Sequence, residues 1–494
     1  MMVLLLFLLA LPIIILFLLP KNSETPHPPG PRGLPILGNL HQLDNSNLPH
    51  NLWQLSRKYG PLMFMRLGFV PTLVVSSARM AKEVLKTHDL IFCSRPALQG
   101  QKKLSYNCID LAFTPYNDYW REMRKICILH LLTSKRVQSF RPVREDEVHH
   151  MIKNISGLAS SSKSINLSEM LVALGSTIIC RVAFGKRFDD EEKLRNRFYK
   201  LVVEAQAVMG SFYVSDYFPL MGWIDKLSGM CARLDNSFKE LDLFYQELID
   251  EHLDQNRPNS MQEDILDILL QLRKDQSSSI NLTLNHIKAV LLNILLGGTD
   301  TSSATVIWAM TGLMKNPRVM KKVQEEIRSV IGNKGIVDED DVEKLPYLRA
   351  VIKESMRLYP PVPLLIPRET LQRCLIDGYE IPAKTLVYVN AWAIGRDPES
   401  WDNPEEFLPE RFLDSTIDFK GNNFELIPFG AGRRGCPGML LGVVTVELTL
   451  ANLLYSFDWE LPAGMKREDI DTDVSPGLAM YKKNALCLLA KKYI

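Results

Sequence analysis

The sequence predicts an α+β fold that is mainly α-helical with small β-sheets, behind an N-terminal membrane-spanning segment. Long segments repeat apolar residues at helical spacing, whereas only a few short segments are β-rich. Residues 1–20 contain no charged or polar side chain. Length alone suggests about three domains in a chain of 494 residues. With no internal repeat and no second linker, one large domain fits better.

The composition excludes several other classes of protein. The chain has 58 Lys and Arg residues against 57 Asp and Glu residues, so it lacks the basic excess typical of nucleic-acid binding. Hydrophobic residues make up 46% of it, which is enough for a large core. Its eight cysteines include no C-x-x-C pair, which disfavours a disulfide scaffold, a zinc ribbon and a thioredoxin-type motif.

Residues 1–20 are predicted to be a transmembrane signal-anchor helix, because about 20 apolar residues span a bilayer. A cleaved signal peptide is one alternative, but no basic residue precedes Lys21 and no A-x-A cleavage site is present. A buried core helix is the other. Lys21 and Arg32 follow the span, so the positive-inside rule places the body in the cytoplasm. This layout is typical of an endoplasmic-reticulum enzyme that faces the cytosol.

The residues after the anchor are rich in proline. Proline fixes the backbone and cannot continue a helix, so residues 26–35 are predicted to be stiff and extended. They could be a generic linker or a strut that orients the body against the membrane. The predicted organisation is an anchor at 1–20, a hinge at 21–45 and one domain at 46–494.

The body is predicted to be helical from about residue 51, with two loops at 160–164 and 276–279. Helical periodicity is found at residues 78–88, 116–132, 143–155, 168–184, 191–209, 230–256, 262–274, 284–315, 317–331 and 348–358. The β-rich segments are residues 63–67, 72–76, 385–390 and 485–490.

The most informative segment is P-F-G-A-G-R-R-G-C-P-G, residues 428–438. Its glycines match the dinucleotide fingerprint G-x-G-x-x-G, but Pro428 interrupts the preceding strand and Cys436-Pro437 separates the glycines from the next helix. A loop that presents one cysteine sulfur fits better. Glycines allow close approach of a planar ligand, and the helix from Met439 onward would stabilise a thiolate. A buried structural cysteine is the plainer alternative.

This segment resembles the F-x-x-G-x-R-x-C-x-G signature of the cytochrome P-450 superfamily, the haem-thiolate monooxygenases. The resemblance implies the cytochrome P-450 fold and haem b as cofactor. It implies that Cys436 is the axial iron ligand, that Arg434 contacts a haem propionate and that Phe429 packs beside the thiolate.

Two further motifs match the family. Glu354 and Arg357 form E-x-x-R on one helix face, which alone would be read as a surface ion pair. With Arg411 in F-x-P-E-R-F, they resemble the family's structural Glu-Arg-Arg network.

G-G-T-D-T-S at residues 297–302 lies inside a long helical pattern. Mid-helix glycine costs about 1 kcal/mol relative to alanine, so a reason is expected. The resemblance implies a distorted helix over the iron, with Gly298 beside the cofactor and with Asp300 and Thr301 relaying protons. A kinked core helix with a back-bonded threonine is the alternative.

The resemblance also assigns the surroundings of the haem. Trp120 and Arg124, four residues apart on one helix, and Arg368 would meet the propionates. The pocket for a small hydrophobic substrate would include Val362, Leu365, Ile366 and Leu478, with the loop around residues 98–113 and the helix start near 293–297. Each of these is also plausible as plain core.

The implied activity is insertion of one oxygen atom from O2 into the substrate. Electrons would come from NADPH through the flavins of NADPH-cytochrome P-450 reductase, with cytochrome b5 as an optional second donor. A basic set could attract the reductase or bind propionates: Arg121, Arg124, Lys125, Arg433 and Arg434.

Two rival functions stay open. One is an isomerase or dehydratase that needs no reductase, although such members typically lack the acid–alcohol pair. The other is a non-catalytic, membrane-tethered haem protein. The motif variants resemble plant members of specialised metabolism.

Overall fold

The computed structural model describes residues 26–160, 163–187, 192–257, 263–276 and 280–493. They form mostly helices with four small sheets, as the sequence predicts. The predicted membrane anchor, residues 1–20, and the start of the hinge lie outside the described residues.

The helices are numbered here in chain order. They are α1 (Leu48–Tyr59), α2 (Ala78–Lys82), α3 (Gln99–Leu104), α4 (Asp118–Ile126), α5 (Ser134–Ser139), α6 (Arg141–Ala159), α7 (Leu167–Phe184), α8 (Glu192–Met209), α9 (Val214–Tyr217), α10 (Trp223–Leu227), α11 (Met230–Leu253), α12 (Ile265–Asp275), α13 (Leu284–Lys315), α14 (Pro317–Ile331), α15 (Glu339–Val342), α16 (Pro346–Leu358), α17 (Ala391–Ile394) and α18 (Met439–Ser456).

The strands form one sheet of four strands, one of three and two hairpins. They are β1 (Leu62–Leu67), β2 (Val70–Val75), β3 (Ile165–Asn166), β4 (Arg368–Glu369), β5 (Cys374–Ile376), β6 (Tyr379–Ile381), β7 (Leu386–Val389), β8 (Phe457–Glu460), β9 (Val474–Ser475), β10 (Tyr481–Lys482) and β11 (Cys487–Lys492). The largest sheet has the order β1-β2-β7-β4, in which only the β2–β7 pair is parallel.

Helix α13 runs through the centre of the described fold. Thr283 caps its first turn in a capping box with His286, and Pro317 begins the next helix two residues after Lys315. It packs against α7 and α18. These three helices are long and apolar enough to cross a membrane, but 61% to 72% of each apolar window is buried inside the protein. They are therefore core helices of this domain, since a helix that is apolar all round is buried.

The described part of the predicted hinge packs against the domain. The Glu380 amide donates to the carbonyl of Pro26 at 3.0 Å, and the His27 ring stacks on Phe64 with centroids 4.7 Å apart. A Cβ on Gly30 would lie 1.7 Å from the Phe64 carbonyl oxygen, so glycine is required for this contact. The segment lies along β1, where the Phe64 amide donates to the Pro29 carbonyl at 2.9 Å, and it turns back on itself where Leu34 pairs with Gly38.

Candidate active site

The cysteine loop is built by tight turns between residue 427 and helix α18. The Cys436 amide donates to the Phe429 carbonyl at 2.9 Å, and the Gly435 amide donates to Gly432 at 3.0 Å. Gly432 has φ of 67°, and a Cβ there would lie 2.3 Å from the Leu85 carbonyl oxygen. Only glycine fits this position, because both its conformation and its neighbours exclude a side chain.

The Cys436 side chain is exposed, yet burial of its sulfur raises the pKa of the thiol. Both observations hold if the sulfur lines a cavity within the protein. A hydrogen bond from the Gly438 amide and the charge of Arg124 oppose this rise of the pKa. Arg124 also donates to the Gly435 carbonyl at 2.7 Å. The loop therefore presents a sulfur atom whose anionic form is disfavoured by burial and partly stabilised by these two groups.

A cluster of buried guanidinium groups lies beside this loop. Burial lowers the pKa of Arg434 to about 9, and it lowers the pKa of Arg368 as well. Arg434 donates to Cys93 and Thr114 carbonyls at 2.7 and 2.6 Å, whereas Arg368 donates to Ala431 at 2.9 Å. Buried cations without enough counter-charge are unfavourable, so an anion bound beside this cluster would stabilise it.

Arg95 belongs to the same cluster, although the sequence analysis did not identify it. It is 5% exposed, and burial followed by repulsion from Arg434 and Arg368 lowers its pKa well below the usual value. It donates to the carbonyls of Ala112 at 3.0 Å and Pro367 at 2.8 Å. An available signal was an arginine directly before a proline and after the apolar residues 90–93.

Trp120 and Arg124 lie on α4 as expected. The Trp120 indole N–H donates to the Leu111 carbonyl at 2.9 Å, and the Arg434 guanidinium lies 3.9 Å from the centre of its ring. The predicted contacts of Trp120, Arg124, Arg368 and Arg434 with propionates stay predictions. Phe429 is half-buried beside the loop and meets Phe419 edge-on at 5.5 Å.

The site fits a haem. Within the described part of the chain, the carboxylates that oppose the guanidinium groups of Arg95, Arg124, Arg368 and Arg434 are those of Asp89 and Asp110, and Asp89 is also paired with Arg433. A cofactor with two carboxylates would balance this excess, and its iron would take the accessible thiol. The donor set therefore suits a haem that is held at one edge by cations and ligated by Cys436.

The two glycines of α13 have different surroundings. A Cβ on Gly297 would meet nothing within 4 Å, whereas a Cβ on Gly298 would lie 2.3 Å from Cδ1 of Ile179 in α7. The predicted cofactor contact of Gly298 stays a prediction, and the structure gives this glycine a packing role. Helix α13 remains α-helical through both glycines. The open space beside Gly297 therefore comes from the missing glycine side chain and not from a break in the helix.

Asp300 and Thr301 follow on the same helix. The Thr301 hydroxyl donates to the Gly297 carbonyl at 2.7 Å. Asp300 is 6% exposed, and burial raises the pKa of its carboxyl to about 6, opposed by a hydrogen bond from Tyr481. An acid that titrates near neutral pH beside a hydroxyl can hold and pass on a proton. Tyr481, on β10, was not identified from the sequence.

The predicted pocket walls lie together. The Met480 amide donates to the Pro361 carbonyl at 2.8 Å, which joins the Leu478 turn to the segment that carries Val362, Leu365 and Ile366. Leu365 has φ of 53°, and its side chain faces Gly430 of the cysteine loop, where a Cβ would lie 3.8 Å from it. The wall is thus aliphatic and adjoins the thiolate loop. Its contact with substrate stays a prediction.

Glu354, Arg357 and Arg411 form one ion-pair network. Arg357 donates to both carboxylate oxygens of Glu354 at 2.7 and 2.8 Å, and both side chains are fully buried. Arg411 adds a bond at 3.2 Å, and Arg357 also donates to the Pro404 and Glu406 carbonyls. The network ties α16 to the segment around residues 402–411, away from the reacting groups.

The comparisons with known proteins agree with this site. The family model described as "Cytochrome P450" matches residues 28–489. The chain is 57% identical over 475 residues to "6,7,8-trihydroxycoumarin synthase" of Pastinaca sativa, covering 94% of this chain and 93% of the relative. It is equally identical, with the same coverage, to "5-OH-xanthotoxin synthase" of that plant. It is 51% identical over 462 residues to "Cytochrome P450 71A1" of Persea americana, covering 92% of each chain.

A helical domain that presents an exposed cysteine beside a cluster of guanidinium groups has the donor set of a haem-thiolate protein. The chain belongs to the cytochrome P-450 family. It is an oxidoreductase, a P-450 monooxygenase of plant specialised metabolism, and its family binds haem iron.

Proposed function

We propose that this protein is a membrane-tethered monooxygenase that hydroxylates a coumarin-type ring. The observation that carries the proposal is the accessible, desolvated thiol of Cys436 beside the excess of buried guanidinium groups. Cys436 would ligate the iron, and Arg95, Arg124, Arg368 and Arg434 would hold the propionates. When bound, the haem supplies activation of O2 and thiolate-assisted O–O cleavage.

The protein's own residues supply the proton path and the substrate position. Burial raises the pKa of the Asp300 carboxyl to about 6, so it exchanges a proton more readily near neutral pH than an ordinary aspartate, and the Thr301 hydroxyl lies on the adjacent residue of α13. We place both in the relay toward the O2 site. The acid–alcohol pair also favours oxygenation over the isomerase, dehydratase and non-catalytic alternatives.

The substrate class rests on the relatives and on the pocket walls. Relatives at 57% identity are named for hydroxylated coumarin and furanocoumarin products. A flat, mostly apolar ring system suits walls made of Val362, Leu365, Ile366 and Leu478, since such pockets grip ligands with few polar groups. We therefore propose xanthotoxin and dihydroxycoumarins as the first candidate substrates.

The electron donor in this proposal is NADPH-cytochrome P-450 reductase, with cytochrome b5 as a second donor. Within the basic set, Arg121 and Lys125 are exposed by 57% and 65% of their side-chain area, and Arg433 by 48%. Arg434 is buried. The exposed members support docking of an acidic partner, and the buried one supports propionate binding.

The cellular place in this proposal is the endoplasmic-reticulum membrane, with the domain in the cytosol. The apolar residues 1–20 are the proposed anchor. Further support comes from exposed apolar side chains between α9 and α10 and within α10, since Leu220, Trp223 and Leu227 are 94%, 58% and 78% exposed. Phe69 beside this segment bonds through its amide to the Tyr217 carbonyl.

The reduced carbon-monoxide difference spectrum tests the ligand assignment. We expect the thiolate-type absorption from the wild type and its loss in Cys436→Ala. The control Cys374→Ala changes a half-buried cysteine on β5 and should leave the absorption intact. Equal spectra of all three proteins would contradict the assignment.

The reaction is tested by turnover of xanthotoxin and dihydroxycoumarins with reductase, NADPH and O2. A hydroxylated product that requires all three components supports the proposal. Product that forms without NADPH or O2 would favour the isomerase or dehydratase alternative, and haem binding without any product would favour the non-catalytic one.

A further inference from the structure

One carboxylate joins three elements of the fold. Asp242 on α11 accepts hydrogen bonds at the same oxygen, Oδ1, from Lys288 Nζ on α13 at 2.6 Å and from the Tyr106 hydroxyl at 2.8 Å. Tyr106 lies in the loop that follows α3. These three residues are called the Asp242 junction below. None of them has a role in the proposed reaction.

The Lys288–Asp242 ion pair fixes the position of the carboxylate that accepts the hydrogen bond from Tyr106. The Lys288 side chain is only 5% exposed, so its ammonium group needs a counter-charge. Asp242 supplies one, and its own side chain is 36% exposed. The carboxylate is therefore held between α11 and α13 whether or not Tyr106 donates to it.

The loop at Tyr106 has an unfavourable backbone conformation. Tyr106, Asn107 and Cys108 have φ values of 54°, 63° and 59°, three consecutive left-handed residues without a glycine. This conformation is disfavoured for residues that carry a Cβ, because the Cβ comes too close to the following carbonyl oxygen. Strain of this kind persists only where surrounding contacts over-determine the conformation.

Contacts inside and outside the loop hold this conformation. Within it, the Asn107 amide donates to the Lys102 carbonyl at 2.8 Å. Outside it, the Tyr106 ring meets Phe238 of α11 edge-on at 5.0 Å, and its hydroxyl reaches Asp242. Lys103 pairs with Asp235 of the same helix at 2.6 Å. The loop is thus docked along one face of α11.

The other end of the loop reaches the guanidinium cluster. The Asn293 side-chain oxygen on α13 accepts from the Leu111 and Ala112 amides at 2.8 and 3.1 Å. The carbonyls of this stretch accept from Trp120, Arg95 and Arg434. One loop therefore connects the Asp242 junction with the proposed propionate-binding residues.

We propose that Tyr106 is a positioning residue, whose bond to Asp242 holds the loop over residues 105–114 in its docked shape and thereby sets ligand affinity. The affinity part rests on the proposed function, since it assumes that this loop walls the substrate pocket. The claim that the bond holds the loop in its docked shape rests on the contacts alone. Tyr106 touches neither substrate nor cofactor in this proposal.

Tyr106→Phe in the full-length, haem-loaded protein tests this inference. The change removes one hydroxyl and leaves the ring on Phe238 and the Lys288–Asp242 pair in place. Amide hydrogen exchange over residues 105–114 should become about two- to tenfold faster, as expected for loss of one such bond. The affinity for phenylimidazole, measured by the shift of haem absorption, should fall by a similar factor, with the reduced carbon-monoxide spectrum unchanged.

Tyr347→Phe is the matched control. Tyr347 is also a buried tyrosine that donates to a carboxylate, Glu410, at 2.9 Å, and Glu410 is likewise paired with cations. This control should not change exchange over residues 105–114. Unchanged exchange in Tyr106→Phe, or an equal increase throughout the protein, would overturn the positioning role. Faster loop exchange with unaltered phenylimidazole affinity would overturn the link to the pocket. Loss of the thiolate-type spectrum in the wild type would instead refute the proposed function.

Discussion

Cys436 illustrates how single residues set the chemistry of this site. Its side chain is exposed, but burial of the sulfur disfavours the anion, and the Gly438 amide and Arg124 act against this effect. A metal ion bound to such a cysteine would stabilise the thiolate, which the protein alone disfavours. The glycines around the cysteine are therefore as important as the cysteine, since they shape the loop.

Gly432→Ala should abolish correct haem incorporation. The added Cβ would lie 2.3 Å from the Leu85 carbonyl oxygen and 2.7 Å from Asp89 Oδ1, and the residue has φ of 67°. The loop would have to move, and with it Cys436. The measurement is the thiolate-type carbon-monoxide absorption per mole of protein. Gly157→Ala on α6, where a Cβ meets nothing within 4 Å, should keep normal haem content. Full incorporation in Gly432→Ala would contradict this account.

Asp300 should make stability depend on pH. Burial raises the pKa of its carboxyl from 3.8 to about 6, so the folded protein holds this proton more tightly than the unfolded chain. Its favourable contribution is complete below pH 3.8 and is lost as the pH rises through about 6. At about pH 8 the buried carboxylate therefore destabilises the fold by about 3 kcal/mol.

Asp300→Asn removes this titration. The variant should have a higher free energy of unfolding than the wild type at about pH 8 and nearly the same value at about pH 4. Its product yield per NADPH should fall, because the relay loses its acid. Denaturant unfolding across pH and product analysis measure both effects. Asp414→Asn, at an exposed position, should leave the pH dependence unchanged. A parallel pH dependence of Asp300→Asn and wild type would refute the assignment.

At the scale of elements, the two glycines of the central helix α13 have different surroundings. Gly298→Ala should destabilise the protein by about 1–3 kcal/mol through overpacking against Ile179. Gly297→Ala should leave stability unchanged or raise it, because its Cβ would point into open space and alanine favours helix. Haem content and unfolding free energy are the measurements.

A double-mutant cycle with Ile179→Ala separates packing from a cofactor contact. If Gly298 serves packing, the double variant should lose less stability than the sum of the single variants, since Ile179→Ala removes the clashing atoms. Haem content should then recover together with stability. Additive stability losses with persistently low haem content would instead support the cofactor contact that the sequence predicts for Gly298.

The elements that the sequence predicts best are those with strong end signals. Helices α13 and α14 begin and end where predicted, because Thr283 caps the first and Pro317 separates the two. The helical pattern at 116–132 instead contains α4, Asp118–Ile126, followed by a π-helical turn at Cys127–Leu131, and the pattern at 78–88 changes in the same way. The hydrophobic periodicity of the sequence cannot distinguish a π-helical turn from a continuing α-helix. The short helix α3 was not predicted, since it offers less than two helical turns.

At the scale of the whole molecule, motifs identify the groups that carry chemistry, and folding identifies the groups that support them. Cys436, Asp300 and Thr301 each lie in a dense local motif, which is why the sequence assigns them roles, and these roles stay predictions. Arg95 and Tyr481 lie outside any dense motif, and each has a partner more than 100 residues away in the sequence. Their roles depend on burial and on charge in three dimensions, and no local pattern encodes these quantities.

The distribution of charge over the whole molecule predicts how electrons arrive. The chain has a net charge of +1, so any steering of a reductase must come from a local surface. Arg121, Lys125 and Arg433 are exposed members of the basic set around the cysteine loop and α4. Lys125→Glu reverses one of these charges without touching the buried guanidinium cluster. Reductase-driven turnover should therefore fall several-fold at low salt, and peroxide-driven turnover should not.

The control for this experiment is Lys321→Glu on α14. Lys321 is exposed and pairs with Glu325, four residues along the helix. It is therefore comparable to Lys125, which pairs with Glu122 three residues away. It gives the same change of net charge outside the basic set and should leave both rates unchanged. Since salt screens exposed charges over about 10 Å at 0.1 M, the difference between Lys125→Glu and wild type should shrink as salt is added. Equal slowing of reductase-driven and peroxide-driven turnover would show that Lys125 acts on the haem site itself, and docking at this surface would then be wrong.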